Sequence, residues 1–371
     1  MFWTTHGRAA IEFLLPGVQQ CVKQGDFVAA SYCSGHTWVN SLIAGTPFPE
    51  LLQLRDRFDG ILVSSARSMH DTFMGMLAHA LRELTDVLGG NDGDDVDSRI
   101  ERTPSALVGL YYILKCQSQF IMGNRRGALE AAAEAEKHLW AHLTWAGESE
   151  YWYYFALTLA SNYAYVSEDE QQQYLKSIET ALHLLKEWSD NCPDNFFNQF
   201  ALVSAELARL RGEDAEAIKL YEQAIQSAGH YGAVHKEAIA NELAAAFYRS
   251  RGIEAAARAY LKQSRACYSR WGAELKVAQL DALHPALEEI KPSSRSLDMM
   301  AIFKAAEAIS QEVVFDQLLM TLMNVVIQSS GAQHAVLVLQ EQGELVVRAH
   351  TNKDLQSERE LYSVGCAENH G

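Results

Sequence analysis

At four helix–turn–helix stretches of this chain the turn glycine is followed five residues later by an alanine: Gly25 and Ala30, Gly123 and Ala128, Gly212 and Ala217, Gly252 and Ala257. In "LRGEDAEAIKLYEQAIQSA", residues 210–228, the apolar positions Ala217, Leu220, Tyr221, Ala224, Ile225 and Ala228 follow the i, i+3, i+4, i+7 pattern of one helix face. The preceding "FALVSAELARL" places Ala201, Ala205 and Ala208 at similar spacing. Gly212 between them suits a helix end, because glycine adopts the left-handed conformation without steric cost. A small residue on each helix lets the two backbones approach, and Tyr221 fills the space beside them. The spacing therefore predicts an αα-hairpin. Gly212 and Gly252 lie forty residues apart, and Ala205 and Ala245 precede them by the same seven. The set of four predicts a hairpin repeat that stacks on copies of itself.

Composition narrows the partners. A chain of 371 residues has room for two or three domains, and at 48% hydrophobic residues it can bury a sizeable core. With 47 acidic against 31 basic residues the formal charge is −16, which disfavours nucleic acid or an anionic membrane surface. Six cysteines are scattered without a CxxC pair and no signal peptide precedes them, the pattern of reduced thiols in a cytoplasmic protein. The longest uncharged run, "YWYYFALTLASNYAYV" at 151–166, falls short of the ~20 apolar residues of a membrane span. It reads as a buried helix, with Trp152, Tyr153, Tyr154 and Phe155 in the core.

The character of the chain changes at "KPSSRS", 291–296. The expected division is a helical repeat region over 1–290, a linker over 291–297 and a smaller segment over 298–371. Two amphipathic helices are expected at 298–309 and 312–329. In "HAVLVLQEQGELVVRAH", Val336, Val338, Val346 and Val347 favour strands and "EQGE" supplies a turn, so a β-hairpin is expected.

No stretch carries a complete chemical motif. In the acidic loop "GGNDGDDVDSRIE", 89–101, a calcium loop counted from Asp92 would need Gly at Asp97 and Glu at Thr103, so a solvated loop is expected. "GHYGAVHKE" offers His230, His235 and Glu237 without the HExxH spacing of a zinc site, and reads as a solvated turn between hairpins. Cys192 has no neighbouring base, and Pro193 suits the first turn of a helix. Trp188 and Trp271 read as packing residues where hairpins join, and Arg209 and Arg270 as solvated charges. There is no phosphate loop, no kinase signature and no phospho-acceptor histidine. The sequence nominates no catalytic, metal or cofactor-binding residue, and no cofactor.

The long blocks "WSDNCPDNFFNQFALVSAELARLRGEDAEAIKLYEQAI", "KEAIANELAAAFYRSRG", "YSRWGAELKVAQL" and "SLDMMAIFKAAEAISQEVVFDQLLMTLMNVVIQSSGAQHAVLVL" follow one another between residues 188 and 339. In this order they resemble the middle of large bacterial signalling proteins. There a serine/threonine kinase domain and an ATPase domain precede a tetratricopeptide-like region, a GAF domain and a sensor histidine kinase. The resemblance implies a mainly α fold, a tetratricopeptide-like helical-hairpin solenoid with a partial α+β, GAF-like end. It also implies a non-enzymatic scaffold that links an input to a kinase output, with signalling proteins or a second copy of the chain as partners. The alternative it leaves is a small-molecule-sensing regulatory protein, or part of a histidine kinase whose catalytic domains lie elsewhere.

Overall fold

The repeated glycines end helices. Gly25, Gly123, Gly212 and Gly252 all take positive φ, between 75° and 76°. The next residue then turns its N–H back to a carbonyl five positions earlier: Asp26 to Cys21, Asn124 to Gln119 and Glu213 to Ala208 at 2.9 Å, and Ile253 to Tyr248 at 3.0 Å. This bond satisfies a carbonyl that the helix end would leave orphaned. The same residue is also the N-cap of the following helix. Asp26 and Asn124 accept from the N–H groups of Ala29 and Gly127 at 3.0 and 3.1 Å. One short turn thus closes one helix and opens the next.

The structure, a computed structural model, describes residues 6–60, 62, 64–86, 88, 100, 103–142, 146–285, 334–341 and 344–352, with the backbone alone for 64–72 and for the last two ranges. The chain is mainly helical, with thirteen α-helices among these residues. In chain order they are α1 (Gly7–Lys23), α2 (Phe27–Ile43), α3 (Phe48–Asp59), α4 (Ser64–Leu81), α5 (Ser105–Ile121), α6 (Arg125–His138) and α7 (Ala146–Asn162). They continue as α8 (Glu168–Asn191), α9 (Pro193–Arg211), α10 (Asp214–His230), α11 (Val234–Ser250), α12 (Glu254–Trp271) and α13 (Glu274–Leu283). None of the described helices is long and apolar enough to cross a membrane.

Each of the four motifs makes a hairpin: α1–α2, α5–α6, α9–α10 and α11–α12. Ala30, Ala128, Ala217 and Ala257 are all at most 1% exposed. Each sits one turn into the second helix, where the two backbones have barely diverged and a methyl group fills the gap. Three further glycines make the same turn: Gly45, Gly232 and Gly272, at φ 88°, 72° and 86°. Gly212, Gly232, Gly252 and Gly272 therefore follow one another at twenty-residue intervals. The Gly-x4-Ala spacing misses the last-named kind because the fifth residue after Gly45, Gly232 and Gly272 is Glu50, Glu237 and Val277. The joint between α8 and α9 differs. Cys192 caps α9 and Pro193 occupies its first turn, as expected.

Early and late helices of the chain touch. The Gly7 N–H donates to Asn195 Oδ1 at 2.9 Å, across 188 residues of sequence. The Phe48 ring, at the start of α3, packs 4.4 Å from the Trp271 ring at the end of α12. Thr85 Oγ1 donates to Glu274 Oε2 at 2.9 Å, and Lys276 Nζ to the Ile121 carbonyl at 2.6 Å. The contacts of α2–α3 bury Phe48, Leu51 and Trp38 completely.

The chain divides into two compact units, Met1–Ser294 and Arg295–Gly371. In the second, β1 (His334–Glu341) and β2 (Glu344–Asn352) form the expected antiparallel pair, with Glu341 opposite Glu344. The register skips Arg348, since Leu337 faces Ala349 while Val338 faces Val347. The expected linker 291–297, the expected helices 298–309 and 312–329, and the acidic loop over 89–99 lie outside the described residues.

A Cβ added at Gly212 meets nothing within 4 Å, whereas one at Gly272 lies 2.9 Å from Pro49 Cδ. Gly212→Ala therefore tests the left-handed backbone alone and is expected to cost about 1–2 kcal/mol in urea unfolding. Gly272→Ala is expected to cost more, because it also pushes on the start of α3. Equal midpoints for both variants and the parent would contradict this account of the turns.

Candidate functional site

Two lysines occupy the same place in successive hairpins. Lys236 and Lys276 each lie four residues after a turn glycine, Gly232 and Gly272, and both side chains are only 4% exposed. A lysine buried to that degree needs a partner. Lys236 Nζ lies 2.7 Å from Glu150 Oε1 on α7, and Gln199 Nε2 on α9 donates to the same oxygen at 2.8 Å. The ammonium also stands 5.6 Å from the centre of the Tyr153 ring. Lys276 Nζ lies 2.7 Å from Glu242 Oε1 on α11, and the Tyr268 hydroxyl donates to the other Glu242 oxygen at 2.8 Å. Each lysine thus ties its own helix to an earlier one.

Two more carboxylates extend this polar seam. Buried Glu206 accepts a very short hydrogen bond from Tyr221 and a forked contact from Arg209, at 2.6 and 3.1 Å to Oε2. Arg209 Nη2 also reaches the Ala160 carbonyl at the end of α7, 3.3 Å away. The expectation that Arg209 is a solvated charge is therefore corrected: it joins α9 to α7, because the carboxylate buried one turn before it needs a cation. Glu222 accepts from Tyr260, whose ring stacks on Tyr248 at 5.2 Å. Burial, and next the Glu242 carboxylate, push the Tyr268 phenol well up; burial and Glu206 do the same to Tyr221. Both phenols are hydrogen-bond donors at neutral pH. The four carboxylates are engaged by ammonium, guanidinium or phenol, an arrangement that fixes one helix against the next.

Beside the Glu150–Lys236 pair lies a cavity of about 20 Å³, lined by Asn198, Asp194, Tyr231 and Lys236 among others. It has room for about one water molecule. A wider, open cleft of about 420 Å³ runs between α9 and α10, past Pro193, Phe197, Gln223 and His230.

The residues weighed in the sequence do not converge. His230 ends α10, its ring edge-on to Tyr231 at 4.7 Å. His235 is fully buried and stacks on Trp271 at 5.1 Å. Glu237 pairs with Arg270 at 3.0 Å. "GHYGAVHKE" does turn at Gly232, but His235 is not solvated, since the helix that starts there faces the core at once. Among the described residues no group of three His, Cys, Asp or Glu side chains is placed to hold a metal. Cys192 is buried, and burial pushes its thiol up, with backbone amides of α9 opposing. A thiol held protonated is a poor nucleophile. Arg270 is exposed as expected, though paired. Trp271 packs at the joint of α11, α12 and α3, and Trp188 lies 6.1 Å from Phe196 where α8 meets α9. Tyr153 and Tyr154 are fully buried in α7, and Tyr151 stacks on Phe155.

The seam residues Glu150, Glu206, Glu222, Glu242, Lys236 and Lys276 were not legible as a group. The available signal was the forty-residue interval between Lys236 and Lys276, which matches that between Gly232 and Gly272. Comparison with known proteins yields no match to a family model, to a curated protein or to a solved structure.

Lys236→Met leaves the Glu150 carboxylate buried and unpaired, and is expected to cost about 3–5 kcal/mol in denaturant unfolding. Adding Glu150→Gln is expected to recover much of that loss; a double variant as unstable as the single one would contradict the pairing. A second outcome concerns pH. Burial pushes His142 down to about 4 and His235 well below the usual imidazole value. Both bind a proton more readily in the unfolded chain, so their contribution is complete above about pH 6.5 and is lost as pH falls below it. Unfolding free energy should decline between pH 6.5 and pH 4, and His235→Phe should flatten the decline.

Proposed function

We propose that the chain is a non-catalytic signalling module: a tetratricopeptide-like stack of helical hairpins followed by a partial GAF-type segment. In this reading it sits in the cytoplasm, holds other signalling proteins or a second copy of itself, and links an input to a kinase output. The observation that supports it is the fourfold use of one hairpin, with the same glycine turn and the same buried alanine. Stacked hairpins of this kind offer an extended surface suited to protein partners. The seam carboxylates are spent on joining helices, which agrees with a structural use of the buried charges.

A second reading rests on the strand pair. Valine-rich antiparallel strands are what the first part of a GAF-type sheet would supply, so the chain could instead be a small-molecule-sensing regulatory protein or a portion of a histidine kinase. Paired strands alone leave open edges, which favour pairing with another chain.

Sequencing the coding DNA on both sides of the reading frame tests the kinase link. Kinase and ATPase motifs upstream, or the rest of a GAF domain and a histidine kinase downstream, are expected. Neither flank encoding them would remove the link and leave a free-standing scaffold. Calorimetric titration of the full chain with cyclic nucleotides separates the two readings: binding heat favours the sensor, and silence across a broad panel favours the scaffold.

A further inference from the structure

One hairpin carries two thiols at facing positions. Cys21 lies four residues before the turn glycine Gly25, and Cys33 eight residues after it. In the α11–α12 hairpin the same offsets from Gly252 give Tyr248 and Tyr260, whose rings stack face to face at 5.2 Å with planes 5° apart. The repeat geometry therefore sets these two positions against each other across the hairpin. In α1–α2 the Cys21 thiol is near enough to Cys33 to help raise its pKa. Both pack on the same small cluster of Val18, Ala30, Phe58 and Leu62. Cys33 points toward α1, since a Cβ built on Gly17 would lie 3.9 Å from its Sγ. Both are free thiols and only half-buried, so a small oxidant can reach them. The other described cysteines have no thiol partner: Cys116 contacts Thr158, Cys192 caps α9, and Cys267 contacts Arg270 and Gln263.

We propose that Cys21 and Cys33 form a redox-active dithiol, a modification site that closes to a disulfide under peroxide and reopens under thiol reductants. Peroxide oxidises one thiol to a sulfenic acid and releases a water. The second sulfur, as thiolate, attacks the first and displaces hydroxide. That hydroxide leaves as water with the proton given up by the second thiol. Two electrons pass from the sulfur pair to the peroxide, and two waters are formed in all. In a reducing compartment such a bond is transient, which suits a response rather than a permanent staple. The bond would lock α1 to α2, and α1 carries the Gly7 contact to Asn195 that joins the first helices to α9. Burial first, then Cys21 and Asp26, hold the Cys33 thiol protonated, so closure should quicken as pH rises. This inference does not depend on the scaffold reading.

The test uses the full chain without substitution. Trypsin cleaves after Arg8, Lys23 and Arg55, so Cys21 and Cys33 fall on separate peptides, 9–23 and 24–55. The protein is treated with hydrogen peroxide, alkylated, digested and analysed by mass spectrometry. The expected product is one species joining the two peptides, about 2 Da lighter than their sum, lost on treatment with dithiothreitol, and formed faster at pH 9 than at pH 7. Separately alkylated peptides after a dose that oxidises a model dithiol would overturn the proposal. So would linkage of either cysteine to a different one or to a second chain. In Cys33→Ser the reaction is expected to stop at a sulfenic acid on Cys21, trapped by dimedone; an untrapped, still-alkylatable Cys21 in a variant with parental circular dichroism would count against it.

Discussion

Everything in the helical unit depends on how closely two antiparallel helices can approach beside a turn. A left-handed glycine reverses the chain in the fewest residues, and the residue after it both closes one helix and caps the next. That economy leaves the second helix almost touching the first at its opening turn. Only a methyl group fits there, and Ala30, Ala128, Ala217 and Ala257 supply it. Larger side chains are admitted only further from the turn, where Tyr221, Tyr260 and Tyr268 fill the widening gap. The hairpin is thus a wedge, small at the turn and aromatic beyond it.

The wedge also explains where buried charge is found. Aromatic residues past the turn bring phenolic hydroxyls inside, and each needs an acceptor that apolar neighbours cannot supply. Glu206, Glu222 and Glu242 are those acceptors. A carboxylate in that setting in turn calls for a cation, which Arg209 and Lys276 provide. Such pairs add little net stability over a well-packed apolar contact, yet they penalise any other register, because a shift of one turn would strand a charge in the core. Apolar faces rich in alanine slide easily; the polar seam removes that freedom.

The parts of this fold that were legible in the sequence are those set by local chemistry. The four hairpins, the first turn of α9 at Pro193 and the strand pair follow from spacing within about twenty residues, as does the aromatic helix expected at 151–166, although the α-helix ends at Asn162 and Tyr165 is exposed. The turns at Gly45, Gly232 and Gly272 share the backbone conformation but not the alanine, because they join hairpins rather than the two arms of one. The seam was hidden for a different reason. Glu150 and Lys236 are 86 residues apart, and Lys276 and the Ile121 carbonyl 155. A lone lysine in a helix reads as solvated until its neighbours in space are known, and Arg209 was misread in that way.

Contacts between early and late helices set this unit apart from an open array of hairpins. In an open array each hairpin touches only its neighbours, so a local disturbance fades within a repeat or two. Here Phe48 on Trp271, Gly7 on Asn195 and Lys276 on Ile121 join elements that are remote in sequence. A displacement of α11–α12 must then either carry α2–α3 with it or break that interface. Coupling between distant sites requires such an alternative, biased by whatever binds one arrangement better.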